Sequence, residues 1–399
     1  CLEVFMGSLY AGGFYSLLNA GLPKMRLEQI INVLDVDYVV TDNEHLESAK
    51  EFFPNKKLIL YEDLVKCEVD DELLSNIRAR KLDVDPVYAN FTSGSTGVPK
   101  GVVVGNRSII DFIDNFTSTF GINETDIIAN QAPFDFDVSV KDIYPALKTG
   151  ATLVIVPKEL FSRPAELIDF LVEHKVTTMT WAVSALCLIS TFHGLDYKVP
   201  ETVKRVMFSG EVMPMKHLKE WMKHLPNATF VNLYGPTEIT CNCTYHIIDR
   251  NREYEKIPVG IPFNNEDVFL LDENNKMVVN SGIKGEICVR GSALALGYYK
   301  NKEQTDRAFV KNPLNDKYIE YIYRTGDLGY YENNDLYFGG RKDFQIKYMG
   351  HRIELGEIET AMDKLPEIRR SLCIYDQAKN KIVAFYEGDI DRKQLSRSL

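Results

Sequence analysis

No apolar run in this 399-residue chain approaches the roughly 18 residues needed to cross a bilayer; stretches such as Ala151–Val156 are far shorter. Basic residues are outnumbered, 46 Lys and Arg against 57 Asp and Glu, for a net charge of -11. That balance argues against a broad nucleic-acid footprint, which would be basic, and leaves room only for local basic pockets. The seven cysteines include no CxxC pair, and no histidine pair stands near Cys241 and Cys243 at zinc spacing. An odd, scattered set of thiols predicts a reduced, cytosolic setting. Histidines are also few and dispersed, with no HExxH and no G-x-S-x-G elbow, so a histidine-based mechanism finds no support. The chain begins at Cys1 with no signal peptide after it, which reads as a position inside a larger protein. Repeats and low-complexity segments are missing too. What remains, 45% hydrophobic and 26% charged residues, is the composition of an ordinary globular protein. Its length predicts two or three domains.

Strand-like and helix-like segments alternate. Strands are predicted at 58–61, 87–92, 151–156, 176–181, 205–208 and 229–233. Helices are predicted at 106–120, where Ile109, Ile113, Phe116 and Phe120 share one face, at 162–175 with Ser162 as cap, at 184–192 and at 214–224. This βαβ rhythm predicts an α/β fold with a mostly parallel sheet and covering helices. From about Glu266 short strands separated by Asn, Gly and Asp predict an antiparallel β subdomain. After Gly339-Gly340-Arg341 a small α+β segment begins, with a helix near 356–364 and a strand near 381–386. The expected division is therefore a large domain over 1–342 and a partial small domain over 343–399, with Asp343 as the hinge.

Chemistry is concentrated in loops. Thr92-Ser93-Gly94-Ser95-Thr96-Gly97-Val98-Pro99-Lys100-Gly101 combines three glycines, four hydroxyls and a lysine. Such a loop can bring backbone N–H groups against phosphate oxygens. It is not a Walker A loop, because G-x-x-x-x-G-K-[ST] is absent. It resembles the phosphate loop of the adenylate-forming superfamily: acyl-CoA synthetases, luciferases and peptide-synthetase adenylation domains. Four further segments resemble that family in order: Tyr234-Gly235-Pro236-Thr237-Glu238, Gly285–Gly291 with Gly297-Tyr298-Tyr299, Tyr323–Asp327, and Gly340–Lys347 with Gly350–Glu359.

The resemblance implies attack of a carboxylate on the α-phosphorus of ATP, a step that needs positioning and charge neutralisation. Glu238 would hold Mg²⁺, which commonly takes one or two protein carboxylates beside phosphate oxygens. Glu238, Thr96 and Lys100 are the expected catalytic set. Nucleotide binding is expected from Thr92, Ser93, Gly94, Ser95, Thr96, Gly97, Gly210, Glu211, Tyr234 as a flat face for adenine, Gly235, Thr237, Asp327 in a ribose-binding turn, and Arg341.

The segment Phe134-Asp135-Phe136-Asp137-Val138-Ser139-Val140 resembles that of amino-acid-activating members, in which the aspartate matching Asp137 binds the substrate ammonium. A buried ammonium needs such a paired charge. By motif position the pocket lining would be Val138, Lys141, Thr180, Met207, Ser209, Leu233, Cys241 and Asn242. Lys141 and Ser209 depart from the pattern of D-alanine–carrier-protein ligases. Two readings of Lys141 stay open: it pairs with a substrate carboxylate, or it points outward to solvent. The expected activity is formation of an aminoacyl-AMP and transfer to the phosphopantetheine thiol of a carrier protein, as in a peptide-synthetase adenylation domain. A standalone D-alanine–carrier ligase and a nucleotide-binding remnant without catalysis are the alternatives. No nucleic-acid or membrane partner is expected. The family's opening segment and its C-terminal lysine loop find no equivalent here, so the chain alone is expected to bind ATP but adenylate poorly.

Overall fold

The computed structural model describes residues 1–94, 98–343, 345–348, 351–376 and 381–398. They form two compact units: Cys1–Asn106 with Leu296–Lys302 and Glu354–Leu399, and Arg107–Ala295 with Glu303–Ile353.

The second unit is built on a seven-stranded sheet in the order Ile261–Pro262, Thr244–Ile247, Thr229–Tyr234, Arg205–Ser209, Thr178–Ala182, Ile127–Asn130, Thr152–Ile155. The last five run parallel to one another, and Thr244–Ile247 pairs antiparallel with both Thr229–Tyr234 and Ile261–Pro262. Hydrophobic strands with covering helices between them produce this arrangement. Side chains alternate across each strand. Met179, Trp181, Val206, Phe208 and Phe230 fall on one face and pack with Leu167, Leu171, Leu186, Ile189, Leu218 and Trp221 of the helices Pro164–Glu173, Val183–Thr191 and Met215–His224. Both indoles find acceptors in this core: Trp181 donates to the Ala129 carbonyl at 2.8 Å and Trp221 to that of Leu186 at 3.0 Å. The other face presents Thr180, Met207, Ser209 and Leu233. Register places Thr180 beside Met207 and Ser209 beside Leu233. The strand pleat thus separates core residues from the expected pocket lining.

An antiparallel sheet follows in the same unit: Glu266–Leu271, Lys284–Gly291, Tyr321–Glu332, Phe309–Lys311, with Asp335–Arg341 paired to Tyr321–Glu332. The segment expected as a Thr-Gly-Asp turn is instead inside the 12-residue strand Tyr321–Glu332. It is a bulge there: Glu286 pairs with Leu328 but Cys288 with Arg324, so the step across Thr325–Asp327 is longer than the step it faces.

In the first unit Pro86–Thr92 and Lys100–Gly105 form an antiparallel pair extended by Gly297–Tyr298. Phe5 stacks on Tyr15 at 4.0 Å, and Tyr15 meets Tyr88 at 5.9 Å. The helix Leu355–Asp363 and the hairpin Ile368–Asp376 with Lys381–Gly388 also belong to this unit.

The predicted helix at 106–120 is found at those bounds. The one predicted at 162–175 is shorter, Pro164–Glu173, with Arg163 at its N-cap. Ser162 does not cap it; its hydroxyl donates to the Glu159 carbonyl at 2.7 Å, within the preceding turn. Among the described residues no helix is long and apolar enough to cross a membrane.

Candidate active site

The glycine- and hydroxyl-rich loop lies in the first unit. Thr92 pairs with Lys100, so the loop closes a β-hairpin, and the strand Lys100–Gly105 stands between the loop and the helix Asn106–Phe120. At Gly94 a Cβ would stand 1.9 Å from the Val98 carbonyl oxygen, so only glycine fits there. Ser93 is buried, and the Lys100 ammonium lies 5.7 Å from the centre of the Tyr298 ring. Ser95, Thr96 and Gly97 are outside the described residues.

The remaining expected residues lie in the second unit. The turn Asp137–Ser139 leads into the helix Val140–Thr149, which places Asp137 and Lys141 one turn apart. Lys141 is completely buried. Its ammonium donates to Ser209 Oγ at 3.1 Å and to Asn242 Oδ1 at 2.8 Å. The outward arrangement of Lys141 is therefore not adopted. Thr180, Met207, Leu233 and Cys241 are buried as well, and Val138 is partly exposed. Burial pushes the Cys241 thiol up to about 12, against the field of Lys141. Thr240 and Cys241 both have positive φ, 53° and 81°. Consecutive non-glycine residues in that region are strained, and such strain gathers at functional sites. Gly235 brings the Tyr234–Glu238 loop against this wall: a Cβ on it would be 2.5 Å from Asn242 Cα.

Asp137 stands beside this wall and is partly exposed. Burial raises its carboxyl above the usual range; the Thr237 hydroxyl and the charges of Lys141 and Lys347 oppose this, and Glu238 adds to it. Asp137 forms no ion pair among the described residues. Next to it in the helix Val140–Thr149, Asp142 is fully buried, accepts from Asn130 Nδ2 at 2.9 Å, and is pushed up to about 7 by burial. The Thr180 hydroxyl faces Asp142 and, with Asn130 and the charge of Lys141, works against that rise.

Glu238 is fully buried, and Arg352 donates to both its carboxylate oxygens at 3.0 and 2.9 Å. A buried carboxylate is a hard oxygen ligand of the kind Mg²⁺ takes beside phosphate oxygens. A metal would share these oxygens with the guanidinium or displace it. The Tyr234 hydroxyl donates to Asp327 Oδ2 at 2.6 Å. Burial raises that phenol well above its ordinary range, with Asp327 adding to it. Arg341 also bonds Asp327, and grips Asp343 through Nε at 2.6 Å and Nη2 at 2.7 Å. Burial opposes the charge of Arg341, but the Asp343 hydrogen bond and the two carboxylate fields outweigh it and raise its pKa. Lys347 lies 6.0 Å from the centre of the Tyr234 ring, and burial lowers its pKa. Thr237 is buried, Gly210 has φ +94° with open space around it, and Glu211 is partly exposed.

One unit thus gathers Asp137, Lys141, Ser209, Tyr234, Glu238, Asn242, Asp327 and Arg341. Arg352 and Lys347 had no role in the sequence reading. Charge was the available signal, since a buried glutamate and a buried aspartate both require cations, and these two stand in the motif that follows Arg341.

The chain matches known proteins along its length. A linear gramicidin synthase of Brevibacillus parabrevis is 35% identical over 382 residues, 95% of this chain but 5% of that protein. A D-alanine--D-alanyl carrier protein ligase of Bacillus velezensis is 33% identical over 378 residues, 93% of this chain and 72% of the ligase. In structure, the Vibrio cholerae adenylation domain AlmE, solved with glycyl-adenosine-5'-phosphate, superposes with a TM-score of 0.86 at 23% identity, covering 100% of this chain and 80% of AlmE. The fold is therefore that of adenylation domains. Residues 1–299 match the family described as AMP-binding enzyme, and the chain belongs to that family.

Proposed function

We propose that this chain is the adenylating part of an enzyme that activates an amino acid. The carboxylate attacks the α-phosphorus of ATP, pyrophosphate leaves, and the aminoacyl-AMP passes its acyl group to the phosphopantetheine thiol of a carrier protein. The observation that carries the reading is Asp137: a partly exposed carboxylate, with no ion-pair partner among the described residues, beside a buried polar wall. A carboxylate so placed suits an incoming ammonium. In the same unit Tyr234 and Asp327 would meet the nucleoside, and Arg341 its ribose or phosphate. Glu238 would hold Mg²⁺ with phosphate oxygens; the metal supplies neutralisation of negative charge, while the residues named here position the groups. The loop Thr92–Gly101, with Lys100, would take the phosphates. Magnesium dependence, the pivot at Asp343 and the division at residue 342 belong to this proposal.

The parent is read as a peptide synthetase. The second reading, a standalone ligase, is favoured by the 72% of the Bacillus velezensis ligase that the chain spans. Condensation and carrier domains encoded beside this segment would select the first, and a stop shortly after it the second. The deciding experiment for the activity is amino-acid-dependent exchange of pyrophosphate into ATP by the intact protein, followed by loading of a carrier protein. ATP binding without exchange for any amino acid would leave a nucleotide-binding remnant instead.

A further inference from the structure

The proposed function leaves the substrate's side chain open. The wall around Lys141 narrows the choice, on the footing of that function. An ammonium can only donate. Asn242 therefore faces Lys141 with its carbonyl oxygen, toward which the Cys241 thiol also points at 3.6 Å. That orientation turns the Asn242 NH₂ away from the lysine, and among the described residues the NH₂ makes no hydrogen bond. Ser209 accepts from Lys141, so its own O–H remains a donor. The remaining N–H capacity of Lys141 meets only the Cys241 thiol, a weak acceptor. The three side chains come from a helix, a strand end and the loop after a strand, and both Ser209 and Asn242 keep a donor that no described residue takes up.

The charge is also incompletely matched. Lys141 is completely buried and forms no ion pair among the described residues. Asp142 follows it in the helix, but its carboxylate is bonded to Asn130 and is pushed up to about 7, so near neutrality it is only partly ionised. Asp137 is assigned to the substrate ammonium. A buried cation with neutral partners is costly, and an anionic group arriving beside it removes the cost.

We propose that Lys141, Ser209 and Asn242 form a side-chain subsite for an acidic amino acid, aspartate or glutamate, whose second carboxylate accepts from all three. The placement agrees. Asp137 opens the short turn Asp137–Ser139 and Lys141 stands in the first turn of the helix Val140–Thr149, close enough for each charge to act on the other. Alanine or glycine would leave the donors and the charge facing a methyl group or nothing.

The test is pyrophosphate exchange by the intact protein with aspartate, glutamate, asparagine, glutamine, D- and L-alanine, glycine, leucine and lysine. Aspartate or glutamate is expected to exceed its own amide by about 100-fold or more in kcat/KM, since a site built for polar partners rejects analogues that leave them unpaired. Lys141→Met is expected to remove most of that preference while the KM for ATP stays within about two-fold. Ser209→Ala, a smaller change that keeps the fold if Lys141→Met does not, is expected to lower the acidic preference about 10-fold. Best exchange with alanine, glycine or another neutral amino acid would overturn the subsite and leave amino-acid activation standing. Unchanged selectivity in folded Lys141→Met or Ser209→Ala would overturn it too. No exchange with any amino acid, in protein that binds ATP, would remove the proposed function and the subsite together.

Discussion

Arg352 holds Glu238 through both carboxylate oxygens, at 3.0 and 2.9 Å, in a place where the glutamate is fully buried. The residue expected to meet Mg²⁺ is thus already neutralised by a protein cation. Guanidinium and metal compete for the same oxygens, so removing one should favour the other. Arg352→Met leaves an unpaired buried carboxylate, and loss of one partner of such a pair costs about 3–5 kcal/mol. The variant should melt at a lower temperature than the parent without nucleotide. Mg·ATP should then raise its melting temperature by more than it raises the parent's. An equal or smaller rise would take Glu238 out of the metal site. Glu238→Gln, nearly isosteric, should abolish the magnesium-dependent part of the rise in the Arg352→Met background.

Asp137 supports a second expectation. Asp137→Ala removes the proposed ammonium partner without touching Tyr234, Asp327 or Arg341. Truncating one member of a buried charge pair costs about 2–5 kcal/mol, which is roughly 30- to several-thousand-fold. Amino-acid-dependent exchange should fall by that factor, while the dissociation constant of ATP changes less than about two-fold. A parallel loss of ATP affinity would make Asp137 structural and weaken the case for an amino acid over a simple acid.

Asp142 gives a pH dependence. Its carboxyl is raised by burial from 3.8 to about 7 in the folded protein. Between those values the folded state binds more protons than the unfolded state, so stability falls as pH rises and the loss is complete above the folded pKa. From pH 5 to pH 8 this amounts to about 2–3 kcal/mol. Asp142→Asn has no charge to lose and can donate toward Thr180. Relative to the parent it should gain stability with rising pH, measured as unfolding free energy in urea. Parallel pH profiles would mean that Asp142 stays ionised in the fold.

Much of this arrangement was legible in the sequence, and where it was not the reasons are physical. The helix Asn106–Phe120 announces itself by a stripe of Ile and Phe at helical spacing, and the strands Arg205–Ser209 and Thr229–Tyr234 by short apolar runs. Thr325-Gly326-Asp327 reads as a turn because its composition is that of one. Only the pairing of Cys288 with Arg324, set by the rest of the sheet, makes it a bulge. Lys141 could not be placed from sequence, since a lysine near an apolar helix face snorkels as readily as it buries. The acceptors that decide the matter, Ser209 and Asn242, are 68 and 101 residues away. The contact between Arg352 and Glu238 spans 114 residues and has no local signature at all.

The final prediction concerns Asp343. Adenylation requires a reacting centre closed to water, whereas thioester formation requires the same carbonyl open to a long pantetheine arm. A single arrangement cannot meet both demands, and the resemblance to adenylate-forming enzymes implies that the C-terminal segment rotates about a hinge. Such rotations concentrate dihedral change in a few residues at element ends. Asp343 lies just past the end of the strand Asp335–Arg341. It is not merely solvated: burial acts to raise its carboxyl, but the hydrogen bond and charge of Arg341 outweigh that and hold it below the usual range. On the proposed pivot, the fork from Arg341 would act as a latch that a dihedral change has to open. Two variants separate the latch from the pivot. Asp343→Ala removes the carboxylate and keeps backbone freedom. Asp343→Pro also fixes φ, and the N–H it deletes makes no hydrogen bond among the described residues. In the intact protein Asp343→Pro should lower carrier-protein thioester formation at least about 10-fold more than pyrophosphate exchange, a difference of about 1.4 kcal/mol between the two steps. Asp343→Ala should slow the two steps to a similar, small extent. Equal losses of both half-reactions in Asp343→Pro would indicate misfolding or a direct chemical role for the aspartate. Full activity in both would put the pivot elsewhere in the chain.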